Sequence, residues 1–163
     1  MKRTTAFLLL LVLLFSLSSC KSQKDQIFTQ SEFSITLTEE YNLTPNAACF
    51  VSYETKNQKA VQVIKDRKFI VEDIAGKTNV SLTEYAALVI ATNQHKKEAV
   101  SQNGIVCYTY TVWNSGVEYT HLATVHESKE AFWLVTFVCP TQEFSKNEAE
   151  FFRFAQSVSI KEN

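Results

Sequence analysis

Motifs that reveal a reaction, a metal site or a nucleic-acid partner are missing from this sequence. Its 16 Lys and Arg residues balance 17 Asp and Glu residues, and they form no basic cluster of the kind that binds a nucleic acid. The three histidines, His95, His121 and His126, have neither the spacing of metal ligands nor that of a base beside a nucleophile. We therefore expect no metal, no cofactor, no nucleic-acid partner and no enzymatic activity.

A phosphate-binding loop is also excluded, although one stretch comes close to its pattern. Gly76, Lys77 and Thr78 match the end of that motif. The motif needs another glycine five residues before the first, so that backbone amides can wrap the phosphates. Val71 occupies that position, and Gly76 is better interpreted as part of a turn.

Cysteine is scarce, and its spacing excludes the usual zinc and redox motifs. Besides Cys20 near the N-terminus, the chain contains Cys49, Cys107 and Cys139, and no pair forms a CxxC motif. A disulfide between two of the three is compatible with an exported compartment. Three small buried residues are an equally good interpretation, and the sequence leaves both open.

The N-terminal apolar run is too short to cross a membrane, which takes about 20 residues. Residues 6–15 (AFLLLLVLLF) follow Lys2 and Arg3 and precede small residues, an arrangement typical of a secretory signal peptide. Residues 17–20 (LSSC) then resemble the lipobox of bacterial lipoproteins, whose cysteine sulfur receives a diacylglyceryl group. The resemblance implies lipidation of Cys20; an ordinary signal peptide with an incidental cysteine is the alternative.

Three segments are expected: a lipoprotein signal peptide (1–19), a lipidated tether (20–30) and a single domain (31–163). The polar stretch KSQKDQ after Cys20 is typical of a flexible tether. Because two or more acyl chains attach a protein stably, we expect a lipid anchor on the exported side of a membrane of the bacterial cell envelope. The mature chain would hold 144 residues with 14 basic and 17 acidic side chains, a net charge of −3. That size suits one domain, which we expect to be monomeric.

Alternating apolar residues predict strands, and helical spacing behind two capping boxes predicts two helices. Ser81 followed by Glu84 begins the first helix, and Ser145 followed by Glu148 begins the last. The predicted strands are residues 33–37, 48–54, 60–64, 68–74, 105–113, 117–126 and 131–139.

The strand AFWLVTFVC, residues 131–139, decides the architecture. Both of its alternating faces are apolar apart from Thr136, which is typical of a strand buried on both sides. With one helix before the three-strand meander and one after it, the economical solution places helices on both faces of one antiparallel sheet. The predicted fold class is α+β, an α/β/α sandwich.

A polar row around His121 is the candidate ligand site. If the hairpins of the meander pair through their loops, with Trp113 opposite Val117, then His121 lies between Thr109 and Thr136 on an otherwise apolar face. Such a row suits a ligand group or a proton. A core imidazole hydrogen-bonded to two hydroxyls is the structural alternative, and a one-residue slip in register would abolish the row.

The order of these elements resembles the PsbP-like superfamily. The resemblance covers roughly residues 31–160 and rests on SLTEYAALVI, a meander with two tyrosines in its first strand, AFWLVTFVCP and a final FFRFAQSVSI helix. Members include the photosystem extrinsic protein, a yeast Ran-binding factor and bacterial lipoproteins related to DcrB and LpqN. The resemblance implies an α/β/α sandwich that acts as a binding or assembly accessory, and it transfers no catalytic residue.

Together these patterns favour an envelope-anchored lipoprotein that binds a protein or a small ligand without catalysis. The alternative is an envelope enzyme or small-ligand carrier that uses the site around His121. A purely structural spacer within an envelope complex is a third hypothesis.

Overall fold

Ten strands and three α-helices make up residues 24–162, the part of the chain that this computed structural model describes. The strands are β1 (Asp25–Gln30), β2 (Phe33–Thr38), β3 (Asn42–Leu43), β4 (Val51–Glu54), β5 (Ala60–Arg67), β6 (Val100–Gln102), β7 (Ile105–Asn114), β8 (Val117–Glu127), β9 (Ala131–Pro140) and β10 (Ser159–Ile160). The helices are α1 (Lys68–Ala75), α2 (Leu82–Thr92) and α3 (Phe144–Gln156), with a 3-10 turn (Thr141–Glu143) before α3.

Seven of these strands form one antiparallel sheet in the order β3-β4-β5-β9-β8-β7-β6. The predicted meander of β7, β8 and β9 is confirmed and forms neighbouring strands of this sheet. A smaller antiparallel sheet has the order β1-β2-β10. No helix within residues 24–162 is long and apolar enough to span a membrane.

Strand β9 joins two hydrophobic cores that lie on opposite faces of the large sheet. All ten of its residues are buried. Trp133, Val135 and Phe137 pack with α3 and β2, whereas Phe132 and Leu134 pack with α1 and α2. The expectation of a strand buried on both sides is confirmed, and with it the α+β fold with helices on both faces of an antiparallel sheet.

Residues 68–74 were expected to form a strand, and this prediction is wrong because they form helix α1. Ile70 and Ile74 stand one helical turn apart, and Val71 is the residue that the helix buries. Gly76 then ends the helix with a left-handed conformation at φ 65°, which a residue without Cβ adopts at little cost.

One of the two predicted capping boxes is present. Ser81 and Glu84 cap α2 with reciprocal side-chain-to-backbone hydrogen bonds. Ser145 and Glu148 do not form the second box, because α3 begins at Phe144 directly after the 3-10 turn and has no side-chain cap. Because the 3-10 turn leads directly into α3, the residue before the helix lacks the extended backbone conformation that is typical of an N-cap.

The N-terminal boundary of the ordered domain also differs from the expectation. Residues 25–30 were assigned to a tether, but they form β1 and pair with β2 along its whole length. Strand β2 has a free edge there, and pairing satisfies its backbone groups. The predicted signal peptide and Cys20 lie outside the described residues.

Candidate functional site

The register of the β7–β8 hairpin decides where the predicted site residues lie. Ser115 and Gly116 both have positive φ, 50° and 82°, which gives a two-residue turn of the type that suits hairpins. Asn114 therefore pairs with Val117, whereas the sequence analysis placed Trp113 opposite Val117. This one-residue slip reverses the face on which every β7 side chain lies relative to β8.

The predicted row of Thr109, His121 and Thr136 does not exist, because the registers of both the β7–β8 and the β8–β9 hairpin differ from the prediction. His121 lies between Tyr110 on β7 and Val138 on β9. Thr109 pairs with Leu122 and therefore faces the opposite core. Thr136 shares the sheet face of His121, but it pairs with Ala123 and is only a diagonal neighbour of the histidine. The expectation of an imidazole held between two hydroxyls is wrong.

His121 instead belongs to a stack of rings. Its imidazole lies over Tyr110 with centroids 4.6 Å apart, and Tyr110 is stacked on its other side with His95 at 4.0 Å. The buried Nδ1 atom of His121 has no hydrogen-bond partner among the described residues. Burial, aided by the positive potential of nearby His95, lowers the pKa of His121 to about 4, so the ring is neutral at pH 7.

His126 lies on the other face of β8 and is half-buried. Its Nε2 lies 3.1 Å from the Thr124 hydroxyl. Burial lowers the pKa of His126 to about 4. Its contact with a side chain of the same strand gives it a structural role.

Burial raises the pKa of each of the three cysteine thiols in the described part of the chain. Cys49, Cys107 and Cys139 are all free, so no disulfide forms among the described residues. Burial raises the pKa of the Cys139 thiol to about 11, which keeps it protonated and unreactive. Residues 24–162 contain no group of three His, Cys, Asp or Glu side chains placed to hold a metal ion.

An apolar groove of about 440 Å³ lies between α1 and α2. We call it the α1–α2 groove. That volume is within the range of binding sites in proteins. Its apolar lining comes from both helices and from the sheet below them: Ile64, Ile70, Val71, Ile74, Leu88, Val89 and Leu134.

The floor of the groove is rigid because a buried tyrosine is fixed at both ends. The Tyr85 ring stacks on Phe132 with centroids 4.5 Å apart. Its hydroxyl donates a hydrogen bond of 2.5 Å to the Asp66 carboxylate. Burial and the nearby carboxylate raise the pKa of Tyr85, so this donor stays protonated.

Helix α1 exposes large apolar side chains beside the groove. Phe69, Ile70 and Ile74 are 63%, 46% and 69% exposed, although α1 has only eight residues. Large exposed apolar patches on a protein often mark interaction surfaces. Sequence reasoning missed this patch because the segment was interpreted as a strand; the four-residue spacing of Ile70 and Ile74 was the available signal.

The charged rim of the groove contains one cation that is free to meet a partner. Lys68 pairs with Glu127 at 2.7 Å, and Lys77 pairs with Glu84 at 2.7 Å. The ammonium of Lys77 and the cap at Ser81 lower the pKa of the Glu84 carboxyl to about 2. Within residues 24–162, Arg67 lines the groove and forms no ion pair.

Comparison with solved structures identifies the fold. The chain is similar to the solution structure of cyanobacterial PsbP (CyanoP) from Synechocystis, with a TM-score of 0.53 and 13% identity over 90% of this chain and 99% of that one. The fold is PsbP-like. A crystal structure of a protein from Bacteroides thetaiotaomicron matches with a TM-score of 0.57 and 12% identity over 86% of this chain. The match covers 49% of that protein, so this chain spans about half its length. No family model and no curated protein matches the sequence.

Proposed function

We propose that this PsbP-like protein is a non-catalytic accessory that binds a partner protein through the α1–α2 groove. The observation that carries the proposal is the exposure of Ile70 and Ile74, which line the groove, together with the exposure of Phe69 on the same helix. Burying such side chains stabilises a complex by about 25 cal/mol for each Å² removed from water. Exposure of these side chains to water does not stabilise the free protein.

The occupant that fits best is an apolar segment of a protein that carries an acidic residue. A small molecule confined to the groove would leave Phe69 exposed, whereas a protein segment lying along α1 would cover it as well. The unpaired Arg67 at the rim offers a cation to an acidic side chain.

Export and lipid anchoring are part of the proposal and rest on the N-terminal sequence. The charged start, the apolar run at residues 6–15 and the lipobox-like LSSC support a lipoprotein of the bacterial cell envelope. The resemblance to lipoproteins related to DcrB and LpqN supports the same localisation. An anchor at Cys20 would keep the groove close to envelope partners and raise their effective concentration.

A catalytic role has less support, because the residues that could carry it are separated. Thr109 and His121 lie on opposite faces of the sheet, and the Cys139 thiol is buried with a raised pKa. An enzyme would need a nucleophile beside a base. We therefore propose that the protein binds a partner and does not catalyse a reaction.

The proposal is tested by crosslinking and purifying the lipidated protein from its own cells. Ile74→Asp places a charge in the groove without filling the core, because Ile74 is mostly exposed. The matched control is Trp113→Ser, which removes an equally exposed apolar side chain far from the groove. We expect a protein that crosslinks to α1 or α2 in the wild type and in the control, and that is lost with Ile74→Asp.

Two outcomes would overturn the proposal. The same set of proteins recovered with all three forms would show that the groove binds none of them. Recovery of lipids alone, at crosslinks within α1, would assign the surface to the membrane.

A further inference from the structure

Part of strand β7 forms an outer edge of the large sheet that no neighbouring strand covers. Strand β6 has three residues and pairs with β7 only from Ile105 to Cys107. Within residues 24–162, no strand pairs with residues 109–114 on that side. We call this segment the free β7 edge. A bare strand edge carries unpaired N–H and C=O groups and can serve as a template for another strand.

Three residues of the free β7 edge direct their backbone groups away from the sheet. Asn114 pairs with Val117 across the two-residue turn, and a turn of this kind closes with a hydrogen bond between the two flanking residues. Successive residues of an antiparallel strand direct their backbone groups to opposite sides, and the register of β7 with β8 is unbroken. The even-numbered residues of β7 therefore bond to β8, whereas Thr109, Thr111 and Trp113 present their N–H and C=O groups outward.

The free β7 edge lacks the features with which proteins usually prevent strand edges from pairing. Charged residues, proline, bulges and very short strands are the common ones. Residues 109–114 (TYTVWN) contain no charged residue and no proline, and their continuous register leaves no bulge. By contrast, the edge strands β3 and β10 have two residues each, and β1 carries Asp25. The free β7 edge is therefore the edge best suited to accept a strand among the described residues.

Exposed apolar side chains lie on both faces of this edge. Trp113 shares the sheet face of Cys107, which belongs to the core under α3, and its side chain is 70% exposed. Val100 of β6 lies opposite Cys107 on that same face and is 53% exposed. Val112 lies on the other face and is also exposed. A strand laid along the edge would remove apolar surface from water on both faces.

A second copy of the same edge, running antiparallel with Thr111 on a two-fold axis, would match these backbone groups. Thr111 would then lie opposite its own copy, and Thr109 would lie opposite Trp113. Outward-directed residues meet only outward-directed residues in this register. Three such pairs, each exchanging two bonds, give about six hydrogen bonds. That number is within the range of about 10 ± 5 that is typical of a protein interface.

The same register would bring the exposed apolar side chains of the two copies together. Trp113 of one copy would lie beside Val100 of the other, because the two would occupy successive positions along the edge on one face. On the other face Tyr110 would cover Val112. Aromatic residues beside β-branched ones are favourable neighbours across strands. Each contact would occur twice, since the two-fold axis repeats it.

From this self-complementarity we infer that two copies of the protein pair through their free β7 edges to form a two-fold dimer, although a monomer was expected from the sequence. The two seven-stranded sheets join into one continuous sheet. The interface shares no residue with the α1–α2 groove, so each copy keeps its groove open for a partner. A crosslink from position 113 joins two copies of this chain and differs in mass from an adduct formed at the groove.

Sedimentation equilibrium of the mature chain, residues 20–163, tests the dimer. Thr111→Lys and Thr111→Glu each place like charges opposite one another at the two-fold axis. We expect a wild-type dimer and, in each variant, dimerisation weakened at least about tenfold. An equal mixture of the two variants should dimerise again, because opposite charges then face each other. Association through another surface does not predict this mutual rescue.

Thr29→Lys is the matched control, since Thr29 is an exposed threonine on the edge strand β1, and it should leave the dimer unchanged. Thr111 is exposed, so thermal unfolding of its variants should match that of the wild type. A wild-type chain that stays monomeric up to about 1 mM would overturn the inference and leave the edge to a strand of another protein. A dimer that persists in both charge variants, or that mixing them fails to restore, would also overturn it.

Discussion

Acidification should destabilise this protein before most of its carboxylates are protonated. His121 and His126 both have a folded-state pKa of about 4, below the unfolded value of about 6.5. The unfolded chain therefore binds more protons as pH falls, and the free energy of unfolding decreases. Stability contributed by the two neutral imidazoles is complete above about pH 6.5 and is lost as pH falls to about 4.

The size of the effect follows from linkage. Between about pH 7.5 and pH 5.0, each histidine with these two pKa values lowers the free energy of unfolding by about 2 kcal/mol. Solvent screening reduces the share of the partly exposed His121, so both together remove roughly 3 kcal/mol, a large part of the 5–15 kcal/mol of a typical domain. The pH interval ends at about 5.0, because carboxylates with ordinary or lowered pKa values stay largely ionised above that pH. They therefore contribute little to the change in the free energy of unfolding.

Urea unfolding of the mature chain at the two pH values measures this loss. His121→Gln and His126→Gln replace each imidazole with a polar group that does not titrate, and each should remove about half of the pH dependence. The double variant should show almost none. If either single variant kept the full pH dependence, the assigned burial of that histidine would be wrong. A wild-type stability that did not change over this interval would refute the reasoning for both.

Three further predictions concern the cap, a buried charge and the N-terminus. Ser81→Ala should cost about 1 kcal/mol in chemical denaturation, whereas Ser145→Ala should stay within about 0.5 kcal/mol; equal losses would contradict the assignment of a single capping box. Lys59→Met should cost about 2 kcal/mol, because it leaves two partly buried carboxylates without their cation; addition of Glu40→Gln should restore part of that loss, and no restoration would disprove the coupling. Cys20→Ala should accumulate uncleaved precursor on a gel, and a free thiol at Cys20 in the native protein, detected by mass spectrometry, would contradict lipidation.

Sequence patterns correctly predicted the strands and helices whose structure depends mainly on their own side chains. The meander of β7, β8 and β9 followed from alternation, and the buried β9 followed from its two apolar faces. The start of α2 followed from Ser81 and Glu84, whose capping interactions involve only neighbouring residues. The positions of the helices on both faces of the sheet could be predicted because the side chains on both faces of β9 are apolar and must be buried.

The features that sequence reasoning missed depend on contacts between distant residues or on one turn. Helix α1 has an apolar run that fits either a strand or a helix, and its packing beside α2 decides between them. The short strands β3 and β6 exist because β4 and β7 offer edges for pairing. These strands have too few residues to show a period.

The candidate site was lost because both hairpins of the meander pair in a register that differs from the predicted one. On the β8–β9 side, Thr136 lies opposite Ala123 in place of His121. A three-residue loop was predicted where Ser115 and Gly116 form a two-residue turn, and the slip moved Thr109 to the opposite face from His121. The α1–α2 groove could not be predicted once α1 was interpreted as a strand. The first of these errors shows that a site on a sheet face depends on strand register, which alternation alone does not set.

The most direct test of the proposed function places a photo-crosslinking amino acid, benzoyl-phenylalanine, at position 74 in α1 of the lipidated protein in its own cells. The control carries the same group at position 113, where the native Trp113 is equally exposed but lies outside the groove. We predict a discrete protein adduct at position 74 that is absent at position 113 and disappears when Arg67→Ala is added. A protein adduct at position 113 alone, or only lipid adducts at position 74, would contradict the claim that the groove binds a protein.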